Sequence, residues 1–176
     1  MTKDLQIRMY HDLILISGPT RSGKSRWAEH LMSKYNNVIY IATSKIHPSD
    51  VEWINRIKLH RERRPKHWQL IETGDFLEKT LNEIPQGSNI LIDSLGGYIT
   101  RNLDKHNEEW DHMVTRLITT MSNINSRLIL VSEECGWGIV PSSKNGHRFR
   151  ERLTSFTNDF QQISSESWLV INGRAI

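Results

Sequence analysis

Residues 13–25, LILISGPTRSGKS, constrain the fold of this chain more than any other stretch. A short apolar run reads as a buried strand, and the turn after it matches the pattern G-x-x-x-x-G-K-[ST]. In Gly18-Pro19-Thr20-Arg21-Ser22-Gly23 the two glycines permit backbone angles closed to other residues, so successive N–H groups can converge on phosphate oxygens. Lys24 is spaced to reach the β- and γ-phosphates, and the Ser25 hydroxyl to ligate Mg²⁺. Trp27, Leu31 and Tyr35 then recur at four-residue spacing, so a helix follows and adds its positive N-terminal end to the cradle. The stretch predicts a binder of a nucleoside triphosphate.

The rest of the chain repeats the alternation that the opening sets. Strand-like runs occur at 13–17, 38–43, 68–72, 89–94, 127–133 and 168–172, most of them continuously apolar, as strands covered on both faces should be. Between them lie helical periods. Val51, Ile54 and Ile57 mark a helix over 50–64; Phe76, Leu77, Thr80, Leu81 and Ile84 a short one ending before Pro85. Trp110 to Ile124 and Phe149 to Ile163 give two longer amphipathic stripes. With 176 residues and no linker or repeat, the expectation is one domain, 1–176: an α/β, P-loop NTPase-like three-layer sandwich with a mainly parallel sheet. Ligands in such folds sit at the carboxyl ends of the strands, here just after residues 17, 43, 72, 94 and 133.

No apolar run approaches the ~20 residues of a membrane span. Residues 1–12 hold an aspartate and no apolar core, so no secretory signal is read there. A single cysteine, Cys135, excludes an internal disulfide and suits the cytoplasm. His47, His67, His106, His112 and His147 share no metal-ligand spacing with it, so no zinc site is expected.

A P-loop also needs a carboxylate at a neighbouring strand end to hold the magnesium shell. Asp93 is the first candidate, with Glu133 and Glu134 competing for the role. The chain's basic excess concentrates in residues 56–66, RIKLHRERRPK, which hold six Lys or Arg against one Glu. Arg61, Arg63 and Arg64 follow His60, an arrangement that reads as an anion site. Their charges would oppose protonation of the imidazole, and a neutral imidazole beside phosphates is a nucleophile toward phosphorus. An RNA-binding reading of the same run lacks stacking platforms, Trp68 being the only aromatic nearby, so no nucleic acid is expected as partner. A P-loop kinase of another small molecule, in which His60 only binds phosphate, stays open on these residues alone. The loop Gly136-Trp137-Gly138-Ile139-Val140-Pro141 reads equally as a lid over substrate or as a turn anchored by its tryptophan.

In this order, SGPTRSGKSRWAE, YIATS, RIKLHRERRPKHWQLIE, LIDSL and VSEECGWGIVP resemble the bifunctional adenosylcobinamide kinase / adenosylcobinamide-phosphate guanylyltransferase family of cobalamin biosynthesis. The resemblance runs from about Leu13 to Gly173, and its specific parts are the H-R-x-x-R-P-x-x-W segment and the G-W-G-I-V-P loop. It implies two reactions: phosphorylation of adenosylcobinamide by GTP or ATP, and transfer of GMP from GTP through a histidine, matching His60, to adenosylcobinamide phosphate. It also implies that residues 18–25, Ala42, Thr43, Ser44, Arg61, Glu62, Arg63, Arg64, Glu72 and Asp93 contact the nucleotide, that Ser25 and Asp93 hold Mg²⁺, and that the chain forms a homotrimer. Three places depart from the family pattern. Glu133 stands where an Asn is frequent, Ser94-Leu95-Gly96 where Cys-Leu-Thr is common, and Leu59 where some relatives carry a second histidine.

Overall fold

The computed structural model describes residues 12–45, 49–138 and 140–176, apart from the side chains of Trp53 and Arg56. The six expected strands are present as β1 (Leu13–Gly18), β2 (Val38–Ala42), β3 (Gln69–Glu72), β4 (Asn89–Asp93), β5 (Arg127–Glu133) and β6 (Glu166–Ile171), joined by a two-residue β7 (Arg174–Ala175). They form one sheet of order β3-β2-β4-β5-β1-β6-β7, parallel throughout except for the antiparallel β6–β7 hairpin. The sequence pattern misses β7 because two residues carry no periodicity.

Side chains of the central strands β1, β2, β4 and β5 alternate between two cores, which explains the continuous apolar runs. On one face Leu13, Leu15, Ile39, Ile41, Ile90, Ile92, Leu128 and Leu130 pack under four helices. These are α3 (Leu77–Asn82), α4 (Leu95–Arg101), α5 (Asn107–Asn123) and α6 (Lys144–Ile163). On the other face Ile16, Val38, Tyr40, Leu91, Ile129 and Val131 meet Ala28 and Met32 of α1 (Lys24–Met32). Among the described residues, no helix is long and apolar enough to cross a membrane.

Two helices also differ from expectation. α4 was not foreseen, since Gly96 and Gly97 in its first turn hide it from any propensity reading. The helix over 50–64 exists as α2 (Val51–Arg63), but its apolar stripe does not face a core. Val51 is 69% and Ile54 40% exposed, and only Ile57 turns inward, toward the strand ends. α2 therefore rests on the carboxyl edge of the sheet instead of covering a face of it. Residues 1–11, His47 and Ile139 lie outside the described residues.

Candidate active site

β1 runs straight into the Gly-rich turn, and α1 starts at Lys24. Gly23 caps that helix with φ 99°, a left-handed angle that a β-carbon would strain. The Ser22 N–H closes the turn on the Pro19 carbonyl (3.2 Å), and the Gly173 N–H, from the β6–β7 hairpin, donates to the Ser22 carbonyl from behind (2.8 Å). Lys24 is 5% exposed, and its ammonium donates to the Pro19 carbonyl at 3.4 Å, so the side chain arches back over the loop.

A cleft of about 730 Å³ opens in front of this loop, walled by residues 21–26 on one side and by Asn55, Leu59, His60 and Arg63 of α2 on the other. A recess of about 100 Å³ shares Lys24, Ser25 and His60 with it. Tyr40, Ala42, Ser44, Arg61, Arg64, Glu72, Asp93 and Glu133 line that recess. Residues from the P-loop, the ends of β2, β3, β4 and β5, and α2 thus meet in one place, as the strand-end rule requires. Gly18, Pro19 and Thr20 of the loop line neither space, nor does Glu62, which sits 3.9 Å from Lys58 on the outer side of α2.

Thr43 is fully buried and acts as a pin, not a wall. Its hydroxyl donates to the Ser94 carbonyl (2.5 Å) and accepts from the Ser94 N–H (3.0 Å), tying the end of β2 to the turn after Asp93. Arg101 of α4 completes that tie by donating to the Thr43 carbonyl at 2.6 Å. No sequence signal pointed to Arg101.

The three arginines near His60 have different work. Arg61 pairs with Glu72 at 2.6 Å, both about half exposed. Arg63 grips Glu29 of α1 through two hydrogen bonds, 2.5 and 2.7 Å, and Glu29 is 7% exposed. Arg64 lays its guanidinium 3.9 Å from the centre of the Tyr40 ring and donates Nε–H to the His60 carbonyl (2.9 Å). Of the three arginines read from the sequence as an anion site, two are thus matched by Glu72 and Glu29. Glu29 was not foreseen; the arginine it holds lies 34 residues further along the chain.

Asp93 is half-buried at the recess, and its Oδ2 accepts from the Tyr40 hydroxyl at 2.6 Å. Burial and the Asp93 carboxylate push the Tyr40 hydroxyl well above its usual range, so it remains a donor. Of the competing acids, Glu133 shares the recess, with its carboxylate accepting from the Ser94 hydroxyl and, at 2.8 Å, from the Gly96 N–H. The Glu134 carboxylate turns away to the Gly136 N–H. Trp137 beyond it is 64% exposed, so within this chain it anchors no packing.

A phosphate-cradling loop between a sheet strand and its helix, faced by acids from the neighbouring strand ends, defines a P-loop nucleotide-binding protein of the α/β class. A solved structure from Pyrococcus horikoshii OT3 shares this fold, with TM-score 0.55 and 8% identity over 97% of this chain and 87% of that one. A family profile described as cobinamide kinase / cobinamide phosphate guanyltransferase matches residues 14–176. Bifunctional adenosylcobalamin biosynthesis protein CobU of Escherichia coli (strain K12) is 33% identical across 92% of this chain and 96% of its own length. Its counterpart CobP of Pseudomonas aeruginosa is 37% identical across 77% of this chain and 79% of its own length. The chain belongs to the cobinamide kinase / cobinamide phosphate guanyltransferase family.

Proposed function

We propose that this chain carries both of its family's activities on one cleft. It phosphorylates adenosylcobinamide with GTP or ATP, and it transfers GMP from GTP through His60 to adenosylcobinamide phosphate, giving adenosylcobinamide-GDP. The observation that carries the proposal is that His60 of α2 lines the same two spaces as Lys24 and Ser25 of the P-loop.

In this reading residues 18–25 cradle the phosphates, and Lys24 offsets their charge. Ala42, Ser44, Arg61, Arg63, Arg64 and Glu72 line the rest of the nucleotide site, with Thr43 bracing the end of β2 from within, while Glu62 faces away from it. The Ser25 hydroxyl and the Asp93 carboxylate, both at the recess, are the hard oxygen donors that Mg²⁺ takes, and the ion when bound neutralises phosphate charge. A ring nitrogen of His60 attacks the α-phosphorus of GTP, a P–N bond forms, and the bond to the leaving pyrophosphate breaks. A phosphate oxygen of the second substrate then attacks the same phosphorus, the P–N bond breaks and the imidazole is regained. The homotrimer and the cytoplasmic location belong to the same proposal. The exposed Val51 and Ile54 of α2 support self-association, which light scattering measures.

Incubation with α-labelled GTP and Mg²⁺ tests the covalent step. Acid-labile, base-stable label should appear on the protein and vanish in His60→Ala. Label that persists in that variant overturns the nucleophile assignment. Phosphorylation of cobinamide without label leaves a kinase alone.

A further inference from the structure

Tyr40 stands out among the residues of the recess because each part of its side chain has a partner of a different kind. It is 4% exposed in β2, where phenylalanine would fill the same core space without a hydroxyl to satisfy. The hydroxyl donates to Asp93 Oδ2, and the ring carries Arg64, whose Nε–H holds the His60 carbonyl. That carbonyl lies in the last turn of α2, where backbone oxygens lack partners within the helix, so Arg64 caps the helix that presents the histidine. Among its described residues α2 contributes none to either core, and polar ties such as this one hold the end that carries His60.

We infer that Tyr40 is the positioning residue that couples the two halves of this site: its hydroxyl orients the Asp93 carboxylate, and its ring seats Arg64 and with it the His60 end of α2. The inference deepens the proposed function and rests on its assignment of Asp93 to the metal and of His60 to GMP transfer. The chain Asp93–Tyr40–Arg64–His60 joins the acid of β4 to the histidine of α2 through a single buried ring. A hydrogen bond on one carboxylate oxygen limits rotation of Asp93, and a planar guanidinium over an aromatic face resists sliding in a way an ammonium does not.

Two variants separate the arms. Tyr40→Phe removes one oxygen and keeps the ring, and Arg64→Lys keeps the charge and removes both the stack and the carbonyl bond. The first readout is GTP affinity by calorimetry with Mg²⁺ and with chelator; the second is the rate at which His60 takes label from α-labelled GTP. Tyr40→Phe should cut the affinity gained from Mg²⁺ by roughly tenfold, the size of one charge-assisted hydrogen bond, with a smaller change in chelator. Arg64→Lys should slow labelling by about three- to tenfold while the Mg²⁺ gain stays at the parent value. Equal losses with and without Mg²⁺ in Tyr40→Phe, the mark of a packing defect, overturn the hydroxyl arm. A parent labelling rate in Arg64→Lys overturns the ring arm. A parent protein that takes no label on His60 instead overturns the functional reading itself, whatever the affinity ratio shows.

Discussion

Glu133 and Gly96 occupy each other's space. A β-carbon at Gly96 would land on the Glu133 carboxylate, which the Gly96 N–H and the Ser94 hydroxyl hold in place. Glu133, Ser94 and Gly96 therefore pack as one unit: the acid fits because the helix start beneath it has no side chain. Gly96→Ala should cost about 1–3 kcal/mol in denaturant titration by displacing a bonded carboxylate, and should cost nothing in a Glu133→Ala background, where only the gain in helix propensity remains. Additive effects in that cycle would refute the pairing. Lys24→Ala should weaken GTP binding by roughly 100-fold and abolish labelling of His60, since one buried cation facing several phosphate oxygens is lost. The P-loop was legible because its chemistry is local, with every residue within eight positions. Tyr40 was not, because its one polar atom answers an acid 53 residues away inside an otherwise apolar strand.

α2 is held at the cleft by ion pairs of unequal burial, and stability should follow that inequality. Arg63→Met strands Glu29, whose side chain is 8% exposed, and should cost about 1–3 kcal/mol by chemical denaturation. Arg61→Met breaks a pair that is half exposed on both sides and should cost under about 1 kcal/mol. Equal costs would mean that burial does not govern how this helix is held. The period of α2 was legible while its orientation was not. Val51 and Ile54 have the spacing of a core stripe yet face outward, and nothing local distinguishes a stripe that meets the core from one left on the surface. α4 was invisible for the opposite reason, its two glycines being chosen by close approach to Glu133 and Thr43 and not by helix propensity.

For the molecule as a whole, the parallel direction of the sheet follows from alternation in the sequence, since parallel strands need helical crossovers and both faces covered, whereas the strand order does not, because it is set by pairings between residues far apart in the chain. Both cores bury a tyrosine, Tyr98 under the α4–α6 layer and Tyr40 under α1. Burial raises both hydroxyls above the ordinary tyrosine value, so folding favours their protonated form. That contribution is complete below about pH 10 and is lost as pH climbs from there toward the folded values. Alkaline titration should therefore show the tyrosinate absorbance of these two residues arising together with the loss of circular dichroism; its appearance in a still folded chain would contradict their burial. The brace from Gly173 to Ser22 has a consequence in time. During synthesis the phosphate-gripping turn leaves the ribosome early, yet the amide that backs it is made long afterwards, so a nascent chain carries this turn without its rear support until the far hairpin has been translated.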